Sequence, residues 1–164
     1  MEYLLIILTI CLSFTFHPLY NNFTSLLVYH HYVLYFGWLI INILFIFIKL
    51  YHLSNRSNRR ILYLISCLFI IGTFLPYHLS TSDLTSFLHV GLTFLALILT
   101  FVLLKLIIKQ SMLTSYKKAN QVDYWLNWQI SIIILLLMMF GTINGIIEIV
   151  TLSSILLTMR QLSH

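Results

Sequence analysis

Residues Val28–Lys49 read VYHHYVLYFGWLIINILFIFIK, a run of 22 residues that carries no charge before its last position. An α-helix rises about 1.5 Å per residue and a bilayer hydrocarbon core is about 30 Å thick, so about 20 apolar residues cross it. The stretch is therefore predicted to form a transmembrane helix. His30 and His31 stand near its start and a lysine ends it, and the other apolar segments share this asymmetry.

The composition of the whole chain agrees with a membrane protein. Its 164 residues are 60% hydrophobic and 8% charged, whereas soluble domains carry about 25% charged residues. Lipid must cover such a surface, and in lipid only helices or closed barrels satisfy the backbone. The apolar runs are continuous rather than alternating, which excludes a β-barrel. We predict a single all-α domain over residues 1–164, a polytopic transmembrane helix bundle.

Six helices are predicted, at about residues 3–16, 28–49, 61–77, 84–108, 124–140 and 145–160. The last apolar stretch, Tyr124–Met159, has 36 residues and as one helix would be about 54 Å long, far more than a bilayer needs. The turn-forming sequence GTING at 141–145 divides it into two helices. Without this division the count would be five.

The basic residues support the count of six. The chain has nine Lys and Arg against four Asp and Glu. With six crossings and a cytoplasmic N-terminus, all nine lie on the cytoplasmic side, as the positive-inside rule predicts. With five crossings Arg160 would lie outside. Both termini are therefore predicted to be cytoplasmic.

The same topology gathers polar and titratable residues at the outer face. The candidates for ligand binding or proton handling are His30, His31, His78, Asp83, His89, Asn144 and Glu148. Neutral imidazole is the commonest protein metal ligand, and its ordinary pKa near 6.5 suits proton relay. A carboxylate within the membrane is costly, so Glu148 should face the bundle. Its expected partners are a histidine, the Asn144 side chain one turn earlier, or a proton of its own.

A polar and aromatic stripe lies below these residues on the second predicted helix. His31, Tyr35, Trp38 and Asn42 follow a spacing of three and four, which places them on one helical face. We expect this face to turn inward and to form an inner polar stripe of Tyr35, Trp38 and Asn42. The alternative is interface anchoring, because His, Tyr and Trp are common at bilayer interfaces. The spacing leaves both open, and no HxxxH or HExxH pattern is present.

The remaining basic clusters are predicted to contact anionic lipid headgroups, namely Arg56, Arg59, Arg60, Lys117 and Lys118. A formal net charge of +5 would suggest nucleic acid in a soluble protein, but in a chain this apolar it indicates topology and lipid attraction. Glycine-rich phosphate loops and the GxSxG hydrolase motif are absent from the sequence. An enzyme is therefore the less favoured class.

Two short stretches resemble the Frag/DRAM/Sfk-like group of small six-helix membrane proteins. The first is Phe74-Leu75-Pro76 followed by Leu88-His89; the second is Gly145-Ile146-Ile147-Glu148, leading into Ser153 and Ile155-Leu156-Leu157. That group would have a basic residue after the glutamate, where this chain has Ile149. The resemblance covers two of the six segments and implies a six-helix bundle; it carries no site residue across.

These observations favour a small, non-enzymatic integral membrane protein of the plasma membrane. It would bind or sense a lipid, a small ligand or a partner protein through its outer polar cluster. A proton-coupled transporter and a haem- or metal-binding redox subunit are the alternatives, so haem or a transition metal is the cofactor to consider, with no cofactor as the preferred reading. The expected partners are membrane lipids, another membrane protein or a second copy of the chain, and not nucleic acid.

Overall fold

The computed structural model describes residues 1–24, 26, 31–75 and 84–163. These residues form no strand and six helices: α1 (Glu2–Ser13), α2 (Tyr32–Leu53), α3 (Asn58–Phe74), α4 (Leu84–Ser111), α5 (Tyr116–Phe140) and α6 (Gly145–Ser163). The predicted all-α bundle of six helices is confirmed. Three of the candidate residues, His30, His78 and Asp83, lie outside the described residues.

Four of the helices, α2, α4, α5 and α6, are long and apolar enough to cross a bilayer. Many of their large apolar side chains face outward; Val33 is 87% exposed and Met138 is 79% exposed. A soluble monomer rarely exposes apolar surface on this scale. The exposed apolar surface is that of a membrane protein.

Helix α2 is displaced along the chain from its predicted bounds of 28–49. It begins at Tyr32 and continues to Leu53. Lys49 does not end the helix, because its amine finds a partner at the Glu2 carboxylate, 3.0 Å away. The next residue, Leu50, is fully buried. Packing of this last turn therefore extends the helix beyond the first charge.

At two other positions the apolar pattern predicts the wrong helix boundary. Helix α3 was expected over 61–77 but ends at Phe74, and Leu75 has extended backbone with ψ 132°. The residue before a proline is pushed out of the α region, and residue 76 is a proline. Helix α5 begins at Tyr116 rather than at Tyr124, because Ala119 and Val122 are buried in a turn that is otherwise polar.

Helix α6 is the centre of the bundle. It packs on α1, α2, α4 and α5, and its buried residues occur on several faces. The most extensive pairing is that of α3 with α4, where a Cβ on Gly72 would come within 2.8 Å of the Thr93 methyl carbon. Helix α2 packs only lightly on α3 and α6. Space therefore remains beneath α2.

Contacts between helix ends show that consecutive helices alternate in direction. Lys49 near the end of α2 pairs with Glu2 at the start of α1, and Lys105 near the end of α4 pairs with Asp123 near the start of α5 at 2.6 Å. The Arg160 guanidinium at the end of α6 lies 4.0 Å over the ring of Tyr3. All nine Lys and Arg thus lie toward one end, called here the basic end, and the opposite one is called the Glu148 end.

Candidate functional site

At the Glu148 end, the loop of residues 14–24 closes over the first turn of α6. The first N–H groups of a helix have no partner within the helix. Here the backbone N–H of Gly145 donates to the Asn21 carbonyl at 2.7 Å, and that of Ile146 donates to the Pro18 carbonyl at 3.3 Å. The loop therefore supplies acceptors that α6 lacks.

Asn144 joins the same loop to α6 through both atoms of its amide. Its Oδ1 accepts from the backbone N–H of Ile147 at 3.1 Å, which is the geometry of a helix N-cap. Its Nδ2 donates to the Leu19 carbonyl at 3.1 Å. Asn144 is only 1% exposed, so this candidate ligand residue has a structural role at the start of α6.

The partner of Glu148 differs from the side chains that were expected. Its Oε2 accepts a hydrogen bond of 2.6 Å from the backbone N–H of Phe23. Neither a histidine nor the Asn144 side chain is the hydrogen-bond partner of this carboxylate among the described residues. Phe23 stands 125 positions away in the chain and carries no titratable group, so residue type and spacing could not indicate it.

Gly145 allows the loop to approach α6 this closely. A Cβ at this position would lie 2.8 Å from Cε2 of Phe16 and 3.1 Å from the backbone Cα of Pro18. Real Cβ atoms essentially never come as close as the Phe16 contact and seldom as close as the Pro18 contact, and both neighbours are parts of the covering loop. The absence of a side chain at residue 145 is therefore required by packing.

Tyr35, Trp38 and Asn42 lie on the face of α2 that points into the bundle. Tyr35 is 5% exposed and Asn42 is 4% exposed. The Trp38 indole donates from Nε1 to Oγ1 of Thr9 at 2.9 Å, and its ring stacks on that of Phe23 at 4.3 Å with an interplanar angle of 7°. His31, expected on the same stripe, is exposed and precedes the helix.

A cavity of about 210 Å³ lies between this face of α2 and helices α3, α4 and α6. It brings together several of the side chains predicted from the sequence as site residues: Tyr35, Trp38, Asn42, His89 and Glu148. Asn144 and His31 do not line it. The cavity is the candidate site, because it joins both predicted groups, the inner stripe and part of the outer cluster.

The cavity is elongated, and Glu148 lies toward one of its ends. Its lining on α2 extends from Tyr35 to Leu50, fifteen positions that correspond to about 22 Å of helix. Phe23, Thr24, Tyr35 and Glu148 lie toward the Glu148 end. Toward the opposite end lie the apolar side chains of Ile46, Leu50, Leu62, Leu97 and Ile155, together with the hydroxyl groups of Ser66 and Thr100.

Asn42, a residue of the cavity wall, has a hydrogen-bond acceptor without a partner. Its Nδ2 donates to the backbone carbonyl of Trp38 at 2.8 Å, but Oδ1 is buried and no donor among the described residues reaches it. A buried polar atom without a partner costs about 1–3 kcal/mol. A donor that reached this atom would recover that cost.

His89 lines the cavity from α4. Its Nδ1 lies 3.2 Å from the Leu75 carbonyl, and a carbonyl only accepts, so Nδ1 carries the proton in this bond. Among the described residues, no group of three or more His, Cys, Asp or Glu side chains is arranged to hold a metal ion. The histidine therefore links α4 to the end of α3 at the cavity wall.

Sequence reasoning missed the hydroxyl groups that share the cavity with His89. Thr93 and Thr100 line it from the same helix, four and eleven positions after His89, and Ser66 and Thr73 line it from α3. Spacings of four and seven place residues on one helical face. The periodicity of polar residues within the apolar run of α4 was the signal that could have found them.

The predicted lipid-contact residues at the basic end have different surroundings. The Arg59 guanidinium stacks on Tyr51 with its Cζ 4.0 Å from the ring centroid, and Arg59 donates to the Tyr51 hydroxyl at 3.2 Å. Arg56, Arg60 and Lys117 are exposed. Lys118 lines a second cavity at this end.

Comparisons with known proteins found no match to this chain. No protein-family model matches the chain, and no curated protein and no solved structure matches it. The resemblance to the Frag/DRAM/Sfk-like group accordingly stays a prediction. The case for a function depends on the geometry of the cavity.

Proposed function

We propose that this protein is a non-enzymatic integral membrane protein that binds a single-chain amphiphile in the cavity beneath α2, with a hydroxyl or amine head at the Glu148 end. The observation that carries the proposal is that Asn42, whose Oδ1 has no hydrogen-bond partner among the described residues, and Glu148 line the same cavity. The bound molecule would be a membrane lipid or a small lipid-like ligand. The plasma membrane is the proposed location.

The shape of the cavity supports a single chain. About 210 Å³ is less than the roughly 300–1,000 Å³ of pockets for drug-sized molecules. This small volume is distributed along the side of α2 from Tyr35 to Leu50. A long and narrow space with apolar walls accommodates one acyl or prenyl chain better than a compact ring system.

The polar groups support a head that donates hydrogen bonds. An ionised carboxylate only accepts, and so does the amide oxygen of asparagine. Glu148 and the Oδ1 of Asn42 are therefore matched by a hydroxyl or an ammonium group, and an ammonium group would also neutralise the carboxylate. The ionised form of Glu148 would repel a carboxylate or phosphate head.

Mass spectrometry of the purified protein tests the proposal. Protein purified in mild detergent should carry a single-chain amphiphile, and Asn42→Leu should weaken its binding about tenfold, as expected for one hydrogen bond. Thr151→Val is the matched control, because Thr151 is also buried with an unpartnered hydroxyl but does not line the cavity. Equal binding by wild type and Asn42→Leu would contradict the proposal.

A second candidate function is a proton-coupled carrier. The observation in its favour is that two titratable side chains, His89 and Glu148, line the same elongated cavity. In liposomes, a carrier would couple uptake of the amphiphile to an imposed proton gradient, and Glu148→Gln would abolish the coupling. Binding of the amphiphile without any response to the proton gradient would be consistent with a binding protein and would exclude a proton-coupled carrier.

A further inference from the structure

A second cavity, of about 350 Å³, lies at the basic end between α1, α5 and α6. Its lining combines cationic, amide, aromatic and aliphatic side chains: Tyr3, Lys118, Gln121, Val122, Trp125, Leu157, Arg160 and Gln161. No carboxylate belongs to this lining. We propose that this cavity binds a phosphate group, and that the phosphate is that of an anionic phospholipid.

The two cations of the cavity have no acidic partner within the described part of the chain. Lys118 and Arg160 form no ion pair among the described residues. The acidic residues nearest this end are occupied, since Glu2 pairs with Lys49 at 3.0 Å and Asp123 pairs with Lys105 at 2.6 Å. An anion entering the cavity would therefore meet two positive charges without displacing a carboxylate.

Arg160 adds a guanidinium group to the lining of the cavity. Its Cζ lies 4.0 Å from the centroid of the Tyr3 ring. A cation over an aromatic ring is attracted by the ring face, and the N–H groups of a guanidinium match phosphate oxygens in a bidentate manner. Gln121 and Gln161 add amide donors around the same space.

The apolar part of the lining favours a lipid over a free phosphate ion. Val122, Trp125 and Leu157 form a surface beside the cations against which a glycerol group and the start of an acyl chain can pack. Tryptophan at this depth is typical of the membrane interface, where headgroups lie. An inorganic phosphate would use the cations but leave this apolar surface without a partner.

Native mass spectrometry of the delipidated protein, titrated with phosphatidylglycerol, tests the site. Lys118→Gln with Arg160→Gln should weaken binding about 30-fold, about fivefold for each basic side chain. The matched control compares Lys118→Gln alone with Lys109→Gln, which removes the same single charge from an exposed lysine outside the cavity. Lys118→Gln should weaken binding about fivefold and Lys109→Gln clearly less. Equal losses in these two single variants would overturn the proposal, because they indicate diffuse attraction.

A further variant and a competition experiment complete the test. Gln121→Leu leaves the charge and the Arg160 contact unchanged, so it provides a test if the double variant does not fold; unchanged binding would count against a built cavity. Inorganic phosphate at the concentration of the lipid should not compete. Full competition by inorganic phosphate would overturn the assignment to a lipid.

Discussion

At the scale of single residues, Glu148 shows how the bundle accommodates a carboxyl group that would be energetically costly in lipid. The sequence indicated that this acid should face the bundle, since a carboxylate in lipid is expensive, and it lines the cavity. Its backbone partner at Phe23 could not be predicted, because the loop that brings Phe23 to α6 depends on the tertiary fold. The residue type indicates which side chains need a polar partner, whereas it does not indicate which backbone N–H group will provide one.

Substitutions of Glu148 separate its structural role from its charge. Glu148→Gln should fold nearly as well as wild type, because the glutamine Oε1 still accepts from Phe23 N–H. Glu148→Leu should lower stability by about 1–3 kcal/mol, the cost of leaving that N–H buried without a partner. Thermal unfolding in detergent measures both. A Glu148→Leu protein that is stable and fully functional would remove Glu148 from the site altogether.

Gly145 is a second residue with a sharp prediction. Gly145→Ala should destabilise the protein by about 1–3 kcal/mol, because the new Cβ would overlap Phe16 and the backbone of Pro18. Gly91→Ala is the control, since a Cβ there meets nothing within 4 Å and alanine favours a helix. If the two variants unfold at the same temperature, the close packing of the loop on α6 is wrong.

At the scale of elements, the six helices were predictable and their ends were not. Length and hydropathy identify the apolar interior of a helix, which is why 84–108 and 145–160 fall within α4 and α6. Length and hydropathy do not identify the first turns of α5, because these turns are mostly polar and only Ala119 and Val122 are buried in them. Glu2 of α1 pairs with Lys49 and so helps to determine where α2 ends. Such a boundary cannot be predicted from the sequence of one segment alone.

The attachment of the 14–24 loop to α6 can be tested at Asn144. Asn144→Ala removes the helix cap and the bond to Leu19, at a cost of about 1 kcal/mol for the cap alone. Hydrogen exchange should accelerate in both the loop and the first turn of α6. Asn55→Ala is the control, since Asn55 Oδ1 accepts from the backbone N–H of Asn58 at the start of α3. If Asn144→Ala leaves exchange in the loop unchanged, the loop is not held by α6 in this way.

At the scale of the whole molecule, charge distribution and fold agree. The alternation of six helices places all nine basic residues toward one end, which the sequence analysis assigned to the cytoplasm. The cavity is a property of this scale as well: the stripe on α2 was visible in the sequence, but α2 had to pack lightly against α3 and α6 for a space to remain. Helical periodicity predicts which face turns inward and cannot predict how closely it packs.

Cysteine labelling in intact cells tests the orientation. In a background lacking Cys11 and Cys67, which are free and exposed, single cysteines at the exposed positions Ser57 and Ser115 should be protected from an impermeant reagent. Cysteines at Tyr20 and Thr142, exposed at the Glu148 end, should react. Reaction at Ser115 together with protection at Tyr20 would reverse the predicted orientation.

The central claim is that the cavity beneath α2 receives a chain with a donating head, and the fluorescence of Trp38 measures it most directly. Trp38 lines the cavity; with Trp125 and Trp128 replaced by phenylalanine it is the last of the three tryptophans. Titration in nanodiscs with dodecylamine, dodecanol and lauric acid keeps the chain and changes the head. At about pH 9, where Glu148 and the acid are both ionised, the amine and the alcohol should bind saturably, and the acid at least about 30-fold more weakly, since like charges repel. Equal binding of the acid, or no saturable change with any of the three, would contradict the claim.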